Sequence, residues 1–125
     1  PSGITGAPAV CRTVHRDDIN DLGNRAVLAV DSRFNGVAFI DFKGAADGRI
    51  LPTEINAGRF GTTHHFYTAA GRNNPWYLLK TAFGEDLPAD LPRFNALPAD
   101  LYWIRTLDAG PVLIKGEDLE KIDRY

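Results

Sequence analysis

Two carboxylates and an amide in one short stretch are the residues best placed to do chemistry. The stretch is VAFIDFKGAADGRILPTEINAGR, Val37 to Arg59. It reads as two strands, one carrying Asp41 in VAFIDF and the other Glu54 in LPTEIN. Asp47-Gly48 is a dipeptide favoured in two-residue hairpin loops. A loop of those two residues places Asp41 directly across from Glu54. Side chains alternate along a strand, so Asn56 shares a face with Glu54. Opposed Cβ atoms lie roughly 4.5–5.5 Å apart, and like charges at that separation repel. A shared proton, screening water or a bound cation has to offset the repulsion. Mg²⁺ takes oxygen ligands, commonly one or two carboxylates plus substrate phosphates. Asp41, Glu54 and the Asn56 amide oxygen form such an oxygen set. The plainer alternative is a solvated hairpin face whose acids never meet a metal.

The flanking sequence must position these groups. Ala9 to Val14 predicts a short strand, with Val10, Arg12 and Val14 on one face and Cys11 on the other. Arg12 reads as an edge or surface residue. Asp17 or Asp18 is predicted to cap a helix, with Ile19, Leu22, Ala26, Ala29 and Val30 at helical spacing. The helix should stop near Val30, before the Asn35-Gly36 turn. In the hairpin, Ala38, Ile40 and Phe42 should face the core. Val37, Phe39 and Asp41 take the other face, with Glu54 and Asn56 across from them.

Beyond Asn56, Gly58 and Gly61 loosen the backbone around Arg59. Thr62 or Thr63 is expected to cap a short helix ending at Gly71. A helix start beside Arg59 and an acidic cluster suits a phosphate; the alternative for Arg59 is an ordinary surface charge. His64 and His65 are adjacent, so on a helix they diverge by about 100° and suit one metal poorly. They read as structural or substrate-adjacent. Asn74 as cap and Pro75 in the first turn open another helix, whose Trp76, Leu79 and Phe83 form an apolar stripe expected in the core; Gly84 ends it. EDLPADLPRFNALPAD, with three Leu-Pro pairs, predicts an irregular extended connection. LYWIRTL and PVLIK read as strands around Asp108 to Pro111, and GEDLEKIDRY as a charged surface helix or frayed end. The fold class expected is α+β: an antiparallel sheet flanked by helices.

Composition bounds the function. The chain has 125 residues, enough for one domain with a core. Its net charge is −2 and its pI about 5.9, against a general binder of nucleic acid or anionic membranes. A single cysteine, Cys11, excludes an intrachain disulfide. With no signal peptide or apolar run long enough for a bilayer, the expected location is the cytoplasm.

The hairpin residues carry a family resemblance. GVAFIDFKGAADGRILPTEINAGRFGTT resembles the metal-binding hairpin of ATP-grasp enzymes, in which a strand bearing an acid precedes a strand ending in Glu-x-Asn. Asp41 and Glu54-Ile55-Asn56 match those features. The match is nearest to proteins like the carbamoyl-phosphate synthase large subunit, and TAAG, Thr68 to Gly71, sits where that group has an Ala-x-Gly-type helix end. The resemblance covers Asp17 to Gly71. It implies that Asp41 is the first Mg²⁺ (or Mn²⁺) ligand, that Glu54 bridges two ions and that Asn56 holds the second. Arg59 would contact the transferred phosphoryl group or the acyl phosphate, although Gly58 and Gly61 stand where the synthases carry further arginines. Residues 1–125 would be one domain, the C-terminal portion of a longer ATP-grasp enzyme, because the glycine-rich lid, nucleotide lysines and adenine strand of the family have no counterpart upstream of the hairpin.

The implied function is an ATP- and Mg²⁺-dependent carboxylate-amine or bicarbonate-amine ligase acting through an acyl phosphate. Its partners would be ATP, a small carboxylate or bicarbonate, an amine, and either the missing N-terminal subdomains or further copies of the chain. The isolated chain should be inactive. The competing expectation is a non-catalytic binding module descended from that fold. A Ca²⁺-binding hairpin is weaker, lacking the run of oxygen ligands of an EF-hand.

Overall fold

The computed structural model describes residues 8–106 and 110–122. In chain order the elements are β1 (Val10–Arg12), α1 (Asp17–Val30), β2 (Ala38–Gly44), β3 (Ile50–Ala57), α2 (His64–Ala69), α3 (Asn74–Ala82), β4 (Leu101–Thr106), β5 (Gly110–Lys115) and α4 (Gly116–Ile122). The class is α+β, with small antiparallel sheets and four helices among the described residues. The single sheet expected from the sequence is divided. β1, β4 and β5 form a three-stranded sheet in the order β1-β4-β5, and β2-β3 stand apart as a two-stranded hairpin. The expectations for residues 1–7 and for Asp108 and Ala109 lie outside the described residues.

The hairpin closes differently from the two-residue loop predicted. Gly44 pairs with Ile50, the Ala45 amide donates to the Arg49 carbonyl at 2.8 Å, and Gly48 donates back to Ala45 at 3.0 Å. Ala46, Asp47 and Gly48 make a three-residue loop, with Gly48 in the left-handed region at φ 84°. That shifts the register by one residue. A bulge at Thr53 shifts it back, so Phe42 pairs with Pro52 but Asp41 pairs with Glu54.

α1 covers the hairpin's inner face. A Cβ on Gly23 would lie 3.4 Å from the Phe42 ring and 3.9 Å from Ile40. The absent side chain is what lets helix and hairpin close together. Gly23 and Val27 are buried and Ile19, Leu22 and Ala26 half-buried, whereas Ala29 and Val30 point to solvent. The predicted stripe thus ends a turn early. Asp17 and Asp18 lie in the first turn; the cap position is Arg16, with no side-chain cap bond. Arg16 instead grips Asp18 through both oxygens, at 2.8 and 2.7 Å, and holds its carboxyl down at about 2.

The core on the other side is small. Phe66 of α2 stacks on Trp103 of β4, ring centroids 5.7 Å apart and nearly parallel. Leu97 completes the cluster, and Cys11, Ala70, Leu101 and Leu113 pack around it. Leu97 belongs to the Leu-Pro connection, which is irregular as expected yet firmly tied. Its Leu97 carbonyl accepts from His15 Nε2 at 2.9 Å, Ala96 from Arg72 Nε at 3.1 Å and Pro98 from Thr13 Oγ1 at 2.7 Å.

α3 corrects a prediction. Asn73, one residue earlier than expected, is the cap, its side chain accepting from the Trp76 amide at 3.1 Å. The stripe expected in the core is exposed: Trp76 by 52%, Leu79 by 50% and Phe83 by 79%. No helix among the described residues is long and apolar enough to cross a membrane.

Candidate functional site

Phe39 and Asp41 project from the outer face of β2, and Asn56 and Glu54 are their cross-strand partners on β3. These four residues line a cleft of about 490 Å³ with Arg59, Phe60, Gly61 and Thr63. Cys11 and Pro8 close the far side, so the cleft lies between the hairpin and the edge strand of the three-stranded sheet. The structure therefore brings together all four residues singled out from the sequence: Asp41, Glu54, Asn56 and Arg59.

The chain leaves β3 through Gly58, whose φ of 77° is open to glycine and strained for most other residues. That reversal turns Arg59 back over the strand, and its guanidinium donates to Asn56 Oδ1. Gly61 then passes directly over the Phe39 ring, where a Cβ would sit 2.6 Å from Cδ2. The two glycines shape the turn that brings Arg59 into the same cleft as the acids.

The Asp41 and Glu54 side chains are left without partners among the described residues. Asp18, Asp21, Asp47, Glu85, Asp90, Asp100 and Glu117 all sit in ion pairs. Asp41 and Glu54 have no ion pair or side-chain hydrogen bond among the described residues; Thr53 Oγ1 donates to the Asp41 main-chain carbonyl at 3.2 Å. Both are exposed, so water screens their repulsion.

The donor set fits a hard divalent cation in part. Two facing carboxylates match what Mg²⁺ takes from protein when phosphates and water supply the rest. Asn56 fits less well as it stands, because Arg59 already occupies its oxygen. No cluster of three His, Cys, Asp or Glu side chains that could hold a metal is found among the described residues, which bring two acids to this cleft. The helix start expected to favour phosphate is weak: α2 has six residues and no side-chain cap bond at Thr63. Among the described residues, Arg59 is the cation that lines this cleft.

His64 Nδ1 lies 3.0 Å from the Gly61 carbonyl, and the His65 ring is tilted by 35° against the His64 ring with centroids 4.1 Å apart. That bond gives His64 a structural place, bracing the turn that carries Arg59. Arg12 pairs with Asp100 at 2.8 Å on the edge strand, as its surface reading implied. Sequence reading missed Cys11, Phe60 and Thr63 as walls of the cleft. Phe60 and Thr63 follow Arg59 closely and could have been proposed from proximity; Cys11 comes from a distant strand with no local signal. Burial raises the Cys11 thiol, and Arg105 partly offsets this.

No protein-family model matches this chain, and no curated protein or solved structure matches it significantly.

Proposed function

We propose that the Asp41–Glu54 face is a divalent-cation site serving a phosphoryl group, and that the chain is the metal-binding part of an ATP-grasp-type carboxylate-amine or bicarbonate-amine ligase. The observation that supports it is the direct pairing of Asp41 with Glu54, both unpartnered among the described residues, in a cleft that also holds Asn56 and Arg59. Opposed like charges cost stability, and a bound cation turns that cost into affinity.

Asp41 and Glu54 would hold the cation, with the Asn56 oxygen available as a further ligand in place of its bond to Arg59. Mg²⁺ held there would neutralise charge on phosphoryl oxygens. Arg59 would exchange its hydrogen bond to Asn56 for bonds to the phosphoryl oxygens, where a guanidinium fork fits well. In the reaction, a carboxylate oxygen bonds to the γ-phosphorus as the bond to the bridging oxygen breaks and ADP departs. An amine then displaces phosphate from the acyl phosphate and loses a proton.

Titration calorimetry with Mg²⁺ and with Mg²⁺·ATP tests this reading. Binding is expected at millimolar Mg²⁺, tightened by nucleotide and weakened at least about tenfold in Glu54→Gln. A folded chain with no heat at millimolar Mg²⁺·ATP points instead to a non-catalytic module, the reading that the Arg59–Asn56 bond favours.

A further inference from the structure

A second cleft adjoins the acidic one, sharing Cys11 and Thr63 with it. It measures about 540 Å³ and opens between α1, α2, α3 and the 91–97 segment. That volume falls within the range of small-molecule sites. In a chain with more acids than bases, 16 against 14, no carboxylate among the described residues lines this cleft. Its ionisable cationic lining is Arg12, His15 and Arg93. Arg12 is committed to Asp100. Arg93 has no ion pair among the described residues; its guanidinium rests 4.9 Å from the Phe94 ring centre. Stacking on Phe94 restricts its rotamers while leaving its N–H edge open.

Three further donors line the cleft with no side-chain partner among the described residues: the Tyr67 hydroxyl, the Asn74 amide and the Thr63 hydroxyl. Burial raises the Tyr67 phenol, so it remains a protonated donor through neutral pH. The apolar wall is Phe66, Phe94 and Leu91. The polar rim is fixed: Asn20 Nδ2 donates to Asn95 Oδ1 at 2.9 Å, and Asn95 donates to Asp17.

We infer that this cleft binds a small organic anion, a carboxylate or phosphate head on a flat apolar body, with Arg93 as its charge partner and Tyr67, Asn74 and Thr63 as donors. The head meets uncompensated positive charge and the body meets the aromatic wall. The inference stands apart from the metal reading, because no residue of the acidic pair takes part and no divalent ion is required.

The test is amide chemical-shift titration of the whole chain in chelator and low salt. Benzoate, phenyl phosphate and inorganic phosphate are the anions, and benzamide is the uncharged control. Benzoate or phenyl phosphate should give saturable shifts at Thr63, Tyr67, Asn74 and residues 91–97, and benzamide none. Whichever of the two binds more tightly identifies the head group, and weaker inorganic phosphate identifies the role of the body. Arg93→Ala should weaken binding about tenfold or more, Arg93→Lys should recover part of it, and Tyr67→Phe should weaken it about threefold. Glu54→Gln should leave it unchanged. The inference is overturned by no saturable shift up to about 20 mM anion, by equal binding of benzamide, or by binding indifferent to both Arg93→Lys and Tyr67→Phe in folded protein.

Discussion

Thr53 donates its hydroxyl to the main-chain carbonyl of Asp41 at 3.2 Å and is the one residue of β3 without a partner in the ladder. That bulge decides which acid faces which. The three-residue turn at Ala46–Gly48 alone would set Asp41 against Thr53. The extra residue moves Glu54 into the opposed position. The acidic pair is thus built by an irregularity, and bulges are common next to sites that need a side chain re-aimed.

Gly61 is the tightest point of the cleft. A methyl group there would meet the Phe39 ring at 2.6 Å. Gly61→Ala is expected to cost about 1–3 kcal/mol, read as a lower midpoint in urea. In a Phe39→Leu background the same change should cost clearly less. Equal costs in both backgrounds would show that the ring is not the obstacle.

The exposed face of α3 gives a second prediction. Phe83→Ser should change the stability of the isolated chain by no more than about 0.5 kcal/mol. A core position would cost about 3–5 kcal/mol for loss of the ring. Acrylamide should quench Trp76, which is 52% exposed, far more than buried Trp103, as single-tryptophan variants can report.

Asp18 supplies a pH dependence. Arg16 holds its folded carboxyl at about 2, below its ordinary value of 3.8. The stabilisation is therefore complete above the ordinary carboxyl range and disappears as pH falls toward 2. Carboxyl chemical shifts should place the Asp18 midpoint near 2, and Arg16→Gln should return it toward 3.8. A midpoint near 3.8 in the unaltered chain would remove the ion pair from the account.

The sequence made the acidic pair legible because strand alternation and a turn dipeptide constrain register locally. The pairing of Asp41 with Glu54 came out as expected through two offsetting departures, a longer loop and the Thr53 bulge, neither of which hydrophobic pattern reveals. Periodicity also found α1 and α3. It could not tell whether anything covers Trp76, Leu79 and Phe83, because an apolar stripe records a face and not its partner. Leu97 was hidden for the opposite reason. It lies in a proline-rich connection without periodicity, where bonds from His15, Arg72 and Thr13 to its own and neighbouring carbonyls help hold it against Phe66 and Trp103. The cleft around Arg93 draws its walls from five separated segments, which no local pattern connects.

Mn²⁺ as a paramagnetic stand-in for Mg²⁺ tests the central claim most directly, by amide signal broadening across the whole chain. Broadening at substoichiometric Mn²⁺ should centre on Asp41, Glu54 and Asn56, fade with distance along the hairpin, reverse with excess Mg²⁺ and vanish in Glu54→Gln. Broadening spread evenly over the surface acids, or centred away from the hairpin, would contradict it.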